Sequence, residues 1–289
     1  MNQIQKSLSL WLILLSFCTL ARAQDNSPSI GPAHGTLMIV GGGSVGADIW
    51  ARFIELAGGE GANIVVIPTA NEDANISNGT SAEKELLQHL GVKNVTVLHT
   101  RDRKQADDPN FVAPLHKATG IWFTGGRHWR LADSYLNTLA HREFKALLAR
   151  GGVIAGTSAG ATIQGSFMVR GDTKGNTLMI GDHTEGLGFI QNVTIDQHLL
   201  VRNRQFDLVE VIRQKPQLLG IGIDESTAIV VQKDTFEVIG NSFVAIYDAK
   251  NITGNASQSN GATPSANRPF YFLNRGQRFN LKEKIVLRR

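Results

Sequence analysis

Cysteine is almost absent from this chain. The 289 residues include one, Cys18, close to the amino terminus. A lone cysteine cannot form an intramolecular disulfide and cannot build a cysteine cluster for a metal. The eight histidines show no H-x-x-x-H or comparable ligand spacing. We therefore predict that the protein needs neither a metal nor another cofactor.

The sequence also lacks basic runs and basic stretches rich in aromatic residues. Its formal charge is +4, and it falls to +2 once Lys6 and Arg22 are left out. Proteins that bind nucleic acids usually carry a basic patch or stripe, so we expect no nucleic-acid partner. With 42% hydrophobic and 19% charged residues, the composition is that of an ordinary globular protein.

No apolar stretch near the amino terminus is long enough for a comfortable membrane span of about 20 residues. Leu8–Leu15 is apolar, Lys6 precedes it, and Ala21-Arg22-Ala23 follows. A basic start, a short apolar core and an A-x-A site are typical of a secretory signal peptide. We predict a signal peptide at residues 1–23, cleaved after Ala23, and a secreted or periplasmic protein without stable membrane insertion. An uncleaved anchor and lipidation at Cys18 are the alternatives.

From residue 24 to 289 the sequence predicts a single domain. Short apolar runs alternate with amphipathic segments such as DIWARFIEL and SAEKELLQHL. The runs are GTLMIV, NIVVIPTA, NVTVLHT, GIWFTGG and VIAGTSAG, at residues 35–40, 63–70, 94–100, 120–126 and 153–160. This alternation predicts an α/β fold, a mostly parallel sheet with helices on both faces.

Several less regular features follow from the same patterns. Residues 134–152 predict one long helix, and residues 235–248 predict a β-hairpin. Residues 250–269 are rich in Asn, Ser, Gly and Thr and predict a flexible loop. The alternating residues at the carboxyl terminus predict an additional edge hairpin.

Ser158 follows one of the apolar runs and fits the pattern G-x-S-x-G, with Gly156 and Gly160 on either side. In a nucleophile elbow, a sharp strand-to-helix turn exposes the serine hydroxyl, and small neighbours allow the backbone to approach closely. The next amide, that of Ala159, lies at a helix start and can stabilise an oxyanion. The alternative is a glycine-rich turn with an ordinary N-cap serine.

Two further predicted strands end in residues that could complete a catalytic group. His198 follows the run VTID, and Asp224 and Glu225 close the run GIGID. Ligands of parallel sheets bind beyond the carboxyl ends of the strands. If all these strands belong to one sheet, a serine, a base and an acid meet at that edge. A core histidine and an acidic turn are the simpler alternatives, and the residues alone leave the acid open.

Four sequence blocks resemble the cyanophycinase branch of the S51 serine peptidases. They are FTGG at Phe123–Gly126, GTSAGA at Gly156–Ala161, DQH at Asp196–His198 followed by Arg202 and Arg204, and GIGIDESTAIVV at Gly220–Val231. The resemblance implies a fold like that of the class I glutamine amidotransferases, which is flavodoxin-like. It also implies an exopeptidase that cleaves β-Asp-Arg polymer (cyanophycin) or related aspartyl and isoaspartyl peptides.

By resemblance, Ser158 is the nucleophile, His198 the base and Glu225 the acid, and the amides of Gly126 and Ala159 form the oxyanion hole. The substrate-binding set that the resemblance implies is Asp196, Gln197, Arg202 and Arg204, together with positions 127 and 128. The family usually has Asp-Gln at the last two positions, where this chain has Arg127 and His128. It usually has a third arginine where this chain has Asp207.

Two other function classes share some of these features. An esterase of the α/β-hydrolase type also uses G-x-S-x-G, but its acid precedes its histidine in the chain, whereas Glu225 follows His198. A binding protein that has kept the fold and lost the chemistry is the other alternative. The expected partner is a peptide or isopeptide substrate, and a homodimer is compatible with the sequence.

Overall fold

The structure of the chain is a computed structural model that describes residues 29–72, 79–252 and 268–288. The predicted signal peptide lies outside the described residues, and so does most of the predicted loop at 250–269. Residues 250–252 are described, and they belong to a helical turn rather than to a loop.

The described part of the chain alternates strands and helices through its first half. The strands are β1 (Thr36–Val40), β2 (Asn63–Ile67), β3 (Asn94–Val97), β4 (Gly120–Phe123), β5 (Val153–Thr157), β6 (Gly165–Phe167), β7 (Ile190–Gln197), β8 (Leu219–Ile223), β9 (Thr227–Gln232), β10 (Thr235–Gly240), β11 (Val244–Tyr247), β12 (Tyr271–Leu273), β13 (Arg278–Asn280) and β14 (Ile285–Leu287). The helices are α1 (Ala47–Leu56), α2 (Ala82–His89), α3 (Arg103–Ala106), α4 (Pro109–Lys117), α5 (His128–Tyr135), α6 (Leu139–Ala149), α7 (Ala159–Thr162), α8 (Asp207–Gln214) and α9 (Ala249–Ile252).

A nine-stranded sheet forms the centre of the molecule, in the order β14-β13-β10-β9-β1-β5-β4-β2-β3. The five strands from β1 to β3 in this order run parallel, and the other four add antiparallel. Both faces are covered, as the alternation along β1 shows. Leu37 and Ile39 pack in one apolar cluster, and Met38 and Val40 pack in another on the opposite face.

A second sheet of five strands has the order β12-β11-β8-β7-β6. Its apolar residues, among them Val193, Ile195 and Ile221, share one core cluster with Leu37 and Ile39 of the first sheet. The prediction that all the strands share one sheet is therefore wrong, because β7 and β8 pair with each other and not with β5. The apolar runs predict strands, but they do not encode which strands become neighbours.

Two predictions about local elements are also wrong. Residues 235–248 do not form a hairpin: β10 pairs with β9 and β13, whereas β11 pairs with β8 and β12. Residues 134–152 do not form one helix, because Asn137 is left-handed with φ 62° and Thr138 caps α6. The predicted hairpin at the carboxyl terminus is confirmed, since β13 and β14 pair antiparallel at the sheet edge.

Candidate active site

Ser158 lies in the turn that joins β5 to α7, with φ 54° and ψ −108°. An L-residue rarely adopts this backbone conformation, and such residues cluster at functional sites. Its hydroxyl forms no capping hydrogen bond, so it is not an ordinary N-cap serine. The flanking glycines are required by space: a methyl group on Gly156 would overlap the Gly160 carbonyl, and one on Gly160 would overlap the Phe123 carbonyl.

The Ser158 hydroxyl is hydrogen-bonded to His198. Ser158 Oγ lies 2.8 Å from His198 Nε2, and His198 Nδ1 lies 2.5 Å from Glu225 Oε1. His198 is 7% exposed, and it follows β7 directly, while Glu225 follows β8. The serine thus comes from the first sheet, and the histidine and the acid come from the second.

The neighbouring carboxylate, Asp224, has a different set of partners. It accepts hydrogen bonds from the backbone amides of Leu200 and Val201 and from the Ser242 hydroxyl. These bonds tie the segment after His198 to the turn before β11. Of the two acids that the residues left open, Glu225 is the one that contacts the imidazole.

The end of β1 and the turn after it hold, through backbone hydrogen bonds, the three segments that carry Ser158, His198 and Glu225. The carbonyls of three successive residues accept one amide each: Val40 from Ser158 at 3.0 Å, Gly41 from His198 at 2.8 Å, and Gly42 from Ser226 at 3.0 Å. This turn is also pressed against the side chains of the site. A methyl group on Gly42 would overlap the His198 ring, and one on Gly43 would overlap the Glu225 carboxylate.

The environment of His198 lowers the pKa of its imidazole below the usual 6.5. Burial is the largest cause, because it disfavours the charged ring. The positive charges of Arg202 and Arg204 act in the same direction, while the hydrogen bond and charge of Glu225 oppose them. The imidazole is therefore neutral at pH 7, the state in which it can accept a proton from Ser158.

Two backbone amides, those of Ala159 and Gly126, occupy the chain positions expected for an oxyanion hole. Ala159 begins α7 directly after Ser158, and Gly126 follows β4 with φ 133°. A methyl group on Gly126 would overlap the Ala70 carbonyl, so glycine is required there. Neither amide donates to an acceptor within residues 29–72, 79–252 and 268–288. Both are free to donate to a ligand.

The residues around His198 form a polar layer. Asp196 is completely buried and accepts hydrogen bonds from Arg170 Nε at 2.9 Å and from the Gln197 amide at 3.0 Å. Arg204 Nη1 donates to the backbone carbonyl of Gln197 at 3.0 Å and to its side-chain oxygen at 3.1 Å. Arg202, by contrast, is exposed on the segment just after His198.

Three of the residues predicted to bind substrate make contacts within the protein instead. His128 is 3% exposed and its Nε2 contacts the Val169 carbonyl at 2.8 Å, and Asp196 has no exposed surface. The Arg127 guanidinium donates to the carbonyls of Asp172 and Gly175. The structure therefore places neither His128 nor Asp196 where a substrate could touch it. It uses Arg127 to hold a loop.

Arg170 was not among the residues predicted from the sequence. It lies in the loop-rich region between β6 and β7, and its guanidinium bridges Asp196 and Asp207. No local pattern distinguishes this arginine from a solvated one. The one available signal is Asp207, an acid where the resembled family has an arginine, which suggests that a cation comes from elsewhere.

The arrangement can activate a serine hydroxyl. A neutral imidazole can take the Ser158 proton on Nε2, and Glu225 fixes the ring by accepting from Nδ1 and stabilises the imidazolium that forms. Within the described ranges, no three His, Cys, Asp or Glu residues form a group that could hold a metal. The helices of those ranges are also too short or too polar to cross a membrane.

Comparison with known proteins agrees with this geometry. Residues 37–239 match the model of peptidase family S51. The chain is 34% identical to the cyanophycinase of Geminocystis herdmanii over 257 residues, which cover 86% of this chain and 94% of that protein. It is 32% identical to the cyanophycinase of a Nostoc species over 262 residues, 87% of each chain.

A solved structure resembles the fold over a similar extent. The crystal structure of a peptidase from an acI-B1 actinobacterium superposes with a TM-score of 0.59 at 25% identity, and it covers 86% of this chain and 98% of that one. The mostly parallel, flavodoxin-like α/β architecture is therefore shared with a known peptidase. Together with the family match and the curated relatives, this shows that the chain belongs to peptidase family S51 and is a serine peptidase of the cyanophycinase type.

Proposed function

We propose that the protein is an exported exopeptidase that hydrolyses aspartyl or isoaspartyl peptides, β-Asp-Arg polymer among them, through an acyl-enzyme on Ser158. The observation that carries the proposal is the continuous hydrogen-bonded chain from Ser158 through His198 to Glu225. The curated relatives are cyanophycinases, which supports the substrate class. The basic and apolar residues before Ala23 support export.

In the first half of the proposed reaction, Ser158 Oγ attacks the carbonyl carbon of the scissile bond, and its proton moves to His198 Nε2. The negative charge that develops on the carbonyl oxygen is stabilised by the amides of Gly126 and Ala159. His198 then gives the proton to the leaving nitrogen. The C–N bond breaks, the amine leaves, and an ester on Ser158 remains.

In the second half, a water molecule takes the place of the amine. His198 accepts a proton from this water as the water oxygen attacks the ester carbonyl, and the same two amides hold the oxyanion. The C–O bond to Ser158 breaks, and the proton on His198 returns to Oγ. A carboxylic acid is released, and the enzyme is restored.

The cations near His198 support a substrate that carries a carboxylate. Arg202 is exposed, Arg204 is buried, and both act electrostatically on the His198 ring. A guanidinium can bind a carboxylate through two parallel hydrogen bonds, which a lysine cannot do. We propose that Arg202 binds a free carboxylate beside the scissile bond, whereas Arg204 is held by Gln197.

The test uses the chain from Gln24 onward, incubated with β-Asp-Arg polymer and with β-aspartyl dipeptides, with products identified by mass. Ser158→Ala is expected to lower turnover by about a millionfold, because a base and its nucleophile act as one unit. Ser166→Ala, which removes a hydroxyl from β6, is the matched control and is expected to keep wild-type turnover. Activity of Ser158→Ala within tenfold of the wild type would disprove the nucleophile assignment.

A further inference from the structure

Arg170 has its positive charge opposed by two carboxylates. Its Nε and Nη2 contact the two oxygens of Asp196 at 2.9 and 3.0 Å, and Nη2 also contacts Asp207 Oδ2 at 2.6 Å. Nη1 donates to the Asn176 carbonyl at 3.1 Å. The side chain is 5% exposed. Each nitrogen of this guanidinium therefore has an acceptor within the protein.

The loop that carries Arg170 is also held by the first residue of α5 and by the residue before it. His128 contacts the Val169 carbonyl, and Arg127 donates to the carbonyls of Asp172 and Gly175. Positions 127 and 128 are far from position 207 in the sequence, yet the side chains of all three contact the segment Val169–Gly175. Arg170 is therefore fixed on Asp207 and cannot swing towards a ligand without breaking buried contacts.

Asp207 is the exposed end of this network. Its side chain is 39% exposed, whereas that of Asp196 is completely buried. The network reaches the catalytic region through Arg204, whose Nη1 lies 3.7 Å from Asp196 Oδ1 and which contacts Gln197, the residue before His198. The charges of Asp196 and Asp207 both act on the Arg204 guanidinium. Asp207 therefore acts on a guanidinium, that of Arg204, whose own charge acts on the His198 ring.

The charges of this region almost cancel. Asp196 and Asp207 offset Arg170 and Arg204, and Arg202 is left as the cation that is exposed and makes no ion pair with the described residues. One carboxylate of a ligand would meet an attractive field there. A second carboxylate would find no further unpaired guanidinium in this network, because the two aspartates already offset Arg170 and Arg204.

We propose that the Arg170–Asp207 pair is a specificity-determining element, which neutralises one guanidinium internally and selects substrates with a single carboxylate beside the scissile bond. The proposal rests on the proposed function of the site, because it assigns the substrate class of that site. It makes Asp207 the residue that disfavours a second negative charge.

The proposal is tested by calorimetric titration with two probes of the same size, succinate and succinamate, which carry two carboxylates and one. The wild type is expected to bind succinate no more than about threefold tighter than succinamate. Asp207→Asn keeps the shape of the side chain and removes its charge, so the preference for succinate is expected to rise to about tenfold or more. Asp207→Glu keeps the charge and is the matched control, with the wild-type ratio.

A second variant is expected to change binding in the opposite direction, and thermal unfolding of both variants shows whether each is folded. Arg170→Gln leaves two carboxylates without their cation, so succinate is expected to bind about tenfold more weakly than to the wild type. The proposal is overturned if Asp207→Asn changes both affinities equally or not at all, or if neither probe binds either protein. Labelling of Ser158 by a fluorophosphonate reports separately on the proposed function. If the wild type is not labelled but Asp207→Asn still changes the ratio of succinate to succinamate binding, the peptidase mechanism is disproved and the selection by charge stands.

Discussion

At the residue scale, two adjacent carboxylates have separate tasks. Asp224 accepts from two backbone amides and a hydroxyl, so it stabilises the turn after His198. Glu225 contacts the imidazole and fixes the tautomer in which Nε2 faces the serine. Their contributions to stability and to catalysis can therefore be separated by mutation.

Glu225→Gln is expected to lower kcat by about 10³- to 10⁴-fold, as in other triads where an amide holds the imidazole in the wrong tautomer. Asp224→Asn is expected to lower kcat by less than tenfold and to lower the melting temperature more than Glu225→Gln does. Steady-state kinetics and thermal unfolding of both variants would measure these effects. A greater loss of kcat in Asp224→Asn would show that the wrong acid has been assigned.

The pKa of His198 predicts the pH dependence of the reaction. In the proposed mechanism the neutral ring is the active form, and its pKa is below 6.5, so activity is expected to rise with pH through a midpoint below 6.5. Because the charge of Arg202 lowers this pKa, Arg202→Gln is expected to move the midpoint to higher pH. The rate of Ser158 labelling by a fluorophosphonate measures the midpoint without a substrate carboxylate. A downward shift in Arg202→Gln would contradict the assigned cause.

Single residues differ in how far the sequence predicts their surroundings. Ser158, His198 and Glu225 each follow an apolar run, so their place at strand ends can be read from the sequence. Their mutual contacts cannot, because β5 lies in one sheet and β7 and β8 lie in the other. Position 128 also follows a strand, but its side chain turns inward to the Val169 carbonyl. Arg170 has no such marker, because its role depends on two acids that come from β7 and α8.

At the element scale, the turn after β1 positions the site through carbonyl groups. Gly42→Ala is expected to lower kcat by about 10²-fold or more, because its methyl group would displace the His198 ring, and a shift of about 1 Å can have that effect. Gly91→Ala is the matched control. Gly91 has a comparable φ of 94° and no neighbouring atom within 4 Å, so that variant carries the backbone strain without the collision. Equal kcat in the two variants would refute the positioning role.

The elements themselves are predictable where the pattern is local. The parallel strands β1, β2, β4 and β5 are short apolar runs bounded by glycines or polar residues, and the chain forms strands there. The break between α5 and α6 cannot be predicted locally, because Asn137 and Thr138 are compatible with a helix until the tertiary structure selects the left-handed turn. The partition into two sheets cannot be predicted from local patterns either, because strand pairing depends on contacts between distant residues.

At the scale of the whole molecule, two buried histidines join the helices of the first sheet to the region of the second. His128 on α5 contacts the Val169 carbonyl, and His141 on α6 contacts the Leu187 carbonyl at 2.7 Å. Burial lowers the pKa of each ring to about 4. Both rings are therefore neutral in the folded protein at any pH well above 4.

This predicts acid destabilisation in a defined range. The unfolded histidine binds its proton near pH 6.5 and the folded one only near pH 4, so stability is full above pH 6.5 and is lost as the pH falls towards 4. For His128 the loss between pH 7.5 and pH 5 is about 2 kcal/mol. Urea unfolding at both values checks it, with His128→Gln expected to lose about 2 kcal/mol less than the wild type over that interval. If His128→Gln loses as much unfolding free energy between pH 7.5 and pH 5 as the wild type, groups other than His128 cause the acid destabilisation.

The backbone carbonyl contacts of Val40, Gly41 and Gly42 help to distinguish active from inactive proteins of this family in genome sequences. A search that scores serine, histidine and glutamate alone accepts any chain that has kept those side chains. The hydrogen bonds of these carbonyls need no particular side chain. The close packing of the turn does need glycine at positions 42 and 43, because a methyl group there would overlap His198 or Glu225. A chain with the three side chains but a bulky residue at either glycine position is expected to be inactive. The pair Gly42-Gly43, more than 100 residues before Ser158, is thus part of the diagnostic signature of an intact site.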